Sequence, residues 1–108
     1  MRIERDMMRG AGPLAVLQLL GEGEKYGYEL VKMLERNSGG FLEMGQSTLY
    51  PMLYNLKAKG LIASRLDISQ ARPRRYYRLT DKGKSRLERD SKQWFALFTA
   101  MKKLGITS

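Results

Sequence analysis

The chain has 108 residues, 43% of them hydrophobic, and carries a formal net charge of +9 with no cysteine and no histidine. This length predicts one domain with a small core, and domains of this size often complete their burial by association. The two missing residue types exclude disulfides, thiolate chemistry and the usual zinc sites, and they remove the commonest general base of enzymes. We therefore expect no enzyme, no cofactor and no metal site, and the basic balance indicates a polyanionic partner.

Membrane insertion and export are not predicted either. No apolar run approaches the roughly 18 residues of a membrane span. The first ten residues, MRIERDMMRG, are charged throughout and lack the apolar region of a signal peptide. A cytoplasmic location fits this pattern.

Two helices are predicted in the first third of the chain. The first covers about residues 3–20, and Pro13 lies inside it, so the helix either kinks there or starts there. The second covers residues 27–37, with an apolar stripe of Leu30, Val31 and Leu34. The segment GEGEKYG between them is predicted to be a loop, and its glycine spacing is not that of a phosphate-binding loop.

A third helix is predicted within QSTLYPMLYNLKAKGLI, residues 46–62. Ser47 or Thr48 is the expected N-cap, Pro51 then falls in the first turn, and Gly60 ends the helix. The spacing i, i+3, i+4, i+7 predicts a buried face formed by Leu49, Met52, Leu53 and Leu56. The opposite, exposed face is then formed by Ser47, Tyr50, Tyr54, Lys57 and Ala58.

A hairpin and a long helix complete the chain. Strands are predicted at residues 61–68 and 74–79, with Tyr77 in the core of the hairpin. Thr80 is the expected N-cap of a helix over residues 81–104, about 36 Å long. Its second half carries an apolar seam close to a heptad pattern, formed by Trp94, Leu97, Phe98, Met101 and Leu104. The seam predicts dimerisation.

This element order is typical of one fold. We predict a mainly α (α+β) chain: a winged helix-turn-helix with a two-stranded β-wing over residues 1–80, and a C-terminal dimerisation helix over residues 81–108. Nine basic and three acidic residues lie between Arg65 and Arg89, so the hairpin region is strongly basic. Hydroxyl groups and lysines contact phosphates and some base edges, so the exposed face of the third helix suits double-stranded DNA. Three alternatives stay open: an ordinary solvated face, a non-specific or architectural nucleic-acid-binding protein, and a protein-interaction winged helix.

Three segments resemble the signature segments of PadR-type transcriptional regulators: YGYEL at 26–30, STLYPMLYNLKAKGLI at 47–62 and RRYYRLTDKG at 74–83. The resemblance covers about residues 10–104, and the single C-terminal helix is similar to the small subfamily. It implies a homodimeric repressor that places its third helix in the major groove of a palindromic promoter site. The residues it places near DNA, together with the exposed face above, are Tyr26, Lys32, Ser47, Thr48, Tyr50, Tyr54, Lys57, Arg72, Arg74 and Arg75. Tyr28 and Glu29 are expected to serve packing and local hydrogen bonds, and Pro13 departs from the smooth first helix of many relatives.

The resemblance also suggests a ligand site. Trp94 lies 14 residues after Thr80, a spacing similar to that of the interface tryptophan in small multidrug-responsive members. In those proteins a tryptophan from each subunit stacks flat aromatic drugs between the subunits, and methionines make an adaptable wall. The residues implied here are Met7, Met8, Trp94, Leu97, Phe98 and Met101. The alternative is that Trp94 only packs the dimer interface.

Overall fold

The computed structural model describes residues 1–107 and contains four helices and a small sheet. The elements in chain order are α1 (Arg5–Gly21), β1 (Lys25–Tyr26), α2 (Gly27–Asn37), α3 (Gln46–Ala58), β2 (Ile62–Asp67), β3 (Arg74–Leu79) and α4 (Asp81–Lys103). The predicted winged helix-turn-helix with a long last helix is confirmed. The last residue of the predicted 81–108 segment lies outside the described residues.

The sheet has three strands, in the order β1-β3-β2. The prediction of a simple loop for GEGEKYG was wrong at Lys25 and Tyr26, which pair antiparallel with Tyr77 and Tyr76 of β3. A two-residue strand carries no alternation of its own, and it forms because the free edge of β3 supplies partners for its backbone groups. The pairing anchors the start of α2 to the wing.

Helix α1 runs from Arg5 to Gly21 with Pro13 inside it, so the helix does not start at Pro13. Proline has no N–H, so the carbonyl of Arg9 loses its partner one turn back. Arg9 is exposed, so water can serve that carbonyl. The helix begins at Arg5, two residues later than predicted.

Helix α3 begins earlier than predicted. Gly45 is its N-cap, and its carbonyl accepts the amides of Thr48 at 3.1 Å and Leu49 at 3.0 Å. The predicted caps Ser47 and Thr48 are therefore inside the helix, and Pro51 lies in its second turn rather than its first. The neighbouring residues are exposed, so water can satisfy the first amides without a side-chain cap. The C-terminal end is as predicted, with Gly60 at a positive φ of 75°.

The core lies between α1, α2, α3 and one face of the sheet. Its most deeply buried side chains are Val16, Leu17, Leu30, Leu49, Leu53, Leu61 and Ile62. The predicted stripe of α3 is confirmed, with Met52 only partly buried beside it. Tyr77 is also buried as predicted, and this burial raises the pKa of its phenol.

Helix α4 leaves the core after its first turns. Thr80 caps it as predicted: its Oγ1 accepts the amide of Gly83 at 3.0 Å and donates to the carbonyl of Gly60 at 2.6 Å. Leu87 still packs against the core, but the second half is exposed along its apolar seam, and the molecule measures 53 × 30 × 21 Å. None of the helices within residues 1–107 combines the length and apolarity that a bilayer crossing requires.

Candidate nucleic-acid interface

The exposed face of α3 lies beside the wing. Ser47, Tyr50, Tyr54, Lys57 and Ala58 are all exposed, as the helical period predicts. Tyr54 is 74% exposed, and no packing role accounts for so large an aromatic surface there. This face is therefore available to a partner.

A groove of about 570 Å³ separates the start of α2 from α3 and the wing. Its lining includes five of the ten residues predicted to contact DNA, namely Tyr26, Tyr50, Arg72, Arg74 and Arg75. Gly27, Tyr28, Gln46 and Pro73 complete it. Three elements that are distant in sequence thus present basic and hydroxyl-bearing aromatic side chains to one space.

The remaining predicted residues lie on α2 and α3 outside this groove. Ser47, Tyr54 and Lys57 lie on α3 outside it, and Lys32 of α2 places its Nζ 5.4 Å from the centre of the Tyr28 ring. Thr48 faces a different groove, next to the N-terminal segment with Arg2 and Arg5. Thr48 therefore lies on the side of α3 toward the start of the chain and not on the side of the wing.

The wing arginines point to opposite faces of the sheet. Arg75 pairs with Leu66 and has the parity of Tyr77, on the face that packs against the core. Arg74 has the parity of Tyr76, on the outer face, and its guanidinium lies 4.6 Å from the centre of the Tyr26 ring. Arg74 and Arg75 thus reach the groove from two directions.

One row of side chains ties all three strands together on the outer face. Tyr26 and Tyr76 meet edge to face with ring centres 5.8 Å apart, and Arg65 lies 4.7 Å from the centre of the Tyr76 ring. Arg65 also donates to both carboxylate oxygens of Glu24, at 2.9 and 2.6 Å. This bidentate pair lowers the pKa of Glu24 and neutralises one of the nine basic residues of the wing region.

The Glu24–Arg65 pair predicts a dependence of stability on pH. The lowered pKa means that the carboxylate stabilises the folded chain above the ordinary glutamate value of 4.5, and that this contribution is lost as the pH falls through the lowered pKa. The effect should be small, because both side chains touch solvent. In urea unfolding at neutral pH, Glu24→Gln should be slightly less stable than wild type. The difference should close on acidification, and a constant difference would contradict the pair's role.

Gly27 fixes the position of Tyr50. A Cβ on Gly27 would lie 2.5 Å from the hydroxyl oxygen of Tyr50 and 2.8 Å from its ring. The tyrosine therefore packs directly against the backbone at the start of α2, and only glycine leaves the space. Nothing in the sequence pattern signals this packing, so Gly27 was not among the predicted site residues.

Replacing Gly27 by alanine should displace Tyr50 from the groove while the fold is kept, because alanine favours a helix more than glycine does. We expect DNA affinity to fall by about tenfold, the effect of removing one good interaction with the duplex. Gly10→Ala is the matched control, since a Cβ there meets nothing within 4 Å. Fluorescence anisotropy with a labelled duplex measures the affinity, and equal affinities of the two variants would show that the position of Tyr50 does not matter for binding.

A second exposed surface lies on α4 and is apolar. Trp94 is 46% exposed and Phe98 is 54% exposed, with Leu97 beside them. Trp94 lines two shallow grooves of about 340 and 540 Å³, both shared with Ala11 and Leu14 of α1. Of the two predicted methionines of α1, Met7 is exposed at one of these grooves, but Met8 is buried in the core of its own chain.

The same fold occurs in known proteins. The model of the PadR-like transcriptional regulator family matches residues 16–89. A transcriptional regulator of Mycobacterium tuberculosis is 34% identical over 86 residues, which cover 80% of this chain and 78% of that protein. A PadR family transcriptional regulator from Eggerthella lenta superposes with a TM-score of 0.82 at 37% identity, covering 95% of this chain and 88% of that one. Bacillus subtilis PadR, solved in complex with operator DNA, superposes with a TM-score of 0.67 at 33% identity, covering 72% of this chain and 46% of that one. The chain therefore belongs to the PadR-like transcriptional regulator family.

Proposed function

We propose that this regulator is a homodimeric repressor that binds a palindromic operator in double-stranded DNA. The observation that carries the proposal is the groove in which Tyr26, Tyr50 and three wing arginines converge beside the exposed face of α3. A helix of this kind fits the major groove, where hydroxyl and amide groups can read base edges while arginines hold the backbone. A cytoplasmic location follows from this role.

The test is a gel-shift titration against the duplex upstream of the protein's own gene, with a shuffled duplex as control, at about 50 and 200 mM salt. Binding by charge alone falls steeply with salt and treats both duplexes alike. A preference that survives the higher salt supports specific regulation. If both duplexes bind equally, a selection from genomic fragments decides whether another site is preferred, and a selection without enrichment leaves a non-specific nucleic-acid-binding protein.

Dimerisation through residues 81–108 is supported by the uncovered apolar seam of α4. A single chain this small leaves Trp94, Leu97 and Phe98 in water, and such a contiguous apolar surface is typical of an interface. A two-fold dimer would also supply two recognition helices, spaced for two half-sites. Met101 is half-buried and continues the seam by one turn.

Replacing Phe98 by glutamate should convert the dimer into a monomer, because a charged group would replace an apolar ring of the seam and would lose its hydration on burial. Sedimentation velocity of the purified variant measures the change in mass. Ser85→Glu adds the same charge to the exposed first half of α4 and should remain a dimer. A Phe98→Glu protein that still sediments as a dimer would place the interface elsewhere.

We further propose that planar aromatic molecules bind beside Trp94, as in the multidrug-responsive members that the chain resembles. Trp94 is the only tryptophan, so its fluorescence reports on this surface alone. The wall would come from Met7, Leu97 and Phe98 rather than from Met8. Titration with planar aromatic drugs should quench the fluorescence saturably, and the gel shift repeated with a quenching drug gives the sign of its effect on DNA binding.

A further inference from the structure

Two positively charged side chains from different elements meet at one hydroxyl group. Lys57, near the end of α3, donates from Nζ to Oγ of Ser64 at 2.9 Å. Arg75 of β3 donates to the same oxygen at 3.3 Å. Ser64 lies on β2 opposite Tyr77, on the face of the wing that looks toward α3. The three residues thus bridge the recognition helix and the wing.

This cluster lacks a counter-charge. Within residues 1–107 the acid–base pairs closer than 4.0 Å involve Arg2, Arg9, Arg65, Arg89 and Lys92, and neither Lys57 nor Arg75 is among them. Arg65, which follows Ser64 in β2, differs from these two cations because its charge is neutralised by Glu24. Two cations that share one neutral acceptor repel each other, and they are held together without compensation in the free protein.

An oxyanion would complete the cluster. The oxygen of Ser64 already accepts two hydrogen bonds, so its own hydrogen is free to be donated. One phosphate group can accept from the lysine, from the arginine and from this hydroxyl through different oxygens. Bonds of this charge-assisted kind are about twice as strong as those between neutral groups.

We infer that Lys57, Ser64 and Arg75 form a seat for a single phosphate of the DNA backbone, an assignment that rests on the proposed function. Arg75 also lines the groove beside Tyr50, so the seat lies at the edge of the surface that faces the bases. Tyr54, one turn before Lys57, is exposed on the same side of α3. A phosphate held here fixes the depth and angle at which α3 enters the major groove.

The first test is a double-mutant cycle with Lys57→Gln, Arg75→Gln and the double variant, on one fluorescent duplex of about 30 base pairs, long enough for two half-sites. Each single variant should bind about tenfold more weakly, the effect of one charge-assisted bond. The double variant should be weakened clearly less than the product of the two single effects, because both side chains serve the same phosphate. Lys92→Gln, with the same change of charge on α4, is the control. Effects that multiply would overturn the shared seat.

The second test locates the phosphate. Single methylphosphonate substitutions neutralise the backbone of that duplex one position at a time. At one position in each half-site the substitution should weaken binding of wild type but not of Lys57→Gln or Arg75→Gln. The same substitution should still weaken binding of Arg74→Gln, whose side chain lies on the other face of the wing. Different insensitive positions for the lysine and the arginine variants would overturn the inference.

The hydroxyl and the source of the phosphate are tested separately. Ser64→Ala should bind DNA about threefold to tenfold more weakly, and Ser85→Ala on α4 should bind like wild type. Inorganic phosphate, titrated at constant ionic strength, should compete with DNA no better than chloride, and strong competition would assign the seat to free phosphate instead. The double-mutant cycle can be measured on any duplex that the protein binds. If no preferred sequence exists, the proposal of specific repression fails, whereas the proposed phosphate seat still depends only on the result of the cycle.

Discussion

Replacing both Arg74 and Arg75 by alanine should weaken binding to every DNA duplex and flatten its salt dependence. The logarithm of the binding constant should fall less steeply with the logarithm of salt concentration, by about one unit for each phosphate that the wing no longer neutralises. The two side chains reach the groove from opposite faces of β3, one against Tyr26 and the other against Ser64. They are therefore expected to serve separate phosphates, and the double variant should bind more weakly than either single variant.

The measurement is a series of binding titrations between about 50 and 200 mM salt, on the preferred duplex and on a shuffled one. The control is the double replacement of Arg89 and Lys92 by alanine, which removes the same charge from the exposed side of α4. If the slope decreases equally in both proteins, overall charge and not the wing accounts for binding. An unchanged slope in the wing variant would remove the wing from the interface.

Local sequence patterns predict the bounds of those helices and strands whose own residues carry the pattern. The bounds of α2 and β3 agree with the prediction, because an apolar stripe closed by glycines and an alternation after a proline are both local. Strand β1 could not be predicted in the same way. Its two residues are extended because β3 offers a free edge, and a pairing partner about 50 residues away leaves no mark on the local pattern.

The start of α3 shows how a favourable local residue can mislead. Ser47 and Thr48 both favour the N-cap position, yet the N-cap is Gly45, whose carbonyl accepts the amides of Thr48 and Leu49, and the helix begins at Gln46. The shift moves Pro51 into the second turn but leaves the face of the helix unchanged. The exposed residues were therefore predicted correctly even though the cap was not.

The interface depends on interactions that composition cannot reveal. Counting charges placed Arg65 with the other wing arginines, but a carboxylate 41 residues earlier in the chain pairs with it. The same count of charges gave no reason to single out Ser64. Its role is visible only in the structure, where both Lys57 and Arg75 donate hydrogen bonds to its hydroxyl oxygen. Charge in the sequence predicted the kind of partner, whereas the fold decides which charges are free to meet it.

Helix α4 packs closely on the wing at Gly83, which lies against Leu61. This contact is called the joint below. A Cβ on Gly83 would lie 1.9 Å from the carbonyl oxygen of Leu61 and 3.0 Å from the carbonyl carbon. The obstacle is backbone, and it is held in place because that oxygen accepts the amide of Thr80 at 3.1 Å while Leu61 itself is buried. Gly83 is not among the glycines of residues 1–107 that have a positive φ, so space alone demands glycine here.

Gly83→Ala should therefore destabilise the chain strongly, by about 3 kcal/mol, the upper end of the usual cost of overpacking. Relief would require α4 to move away from Leu61, which opens the Thr80 cap and exposes the apolar side of the joint. Urea unfolding followed by circular dichroism measures the change, at one fixed protein concentration because association also contributes to stability. Gly10→Ala, in open space on α1, should be as stable as wild type or more so by up to about 1 kcal/mol. A Gly83→Ala protein with wild-type stability would mean that the joint can open without cost, and α4 would then be tethered to the wing rather than packed on it.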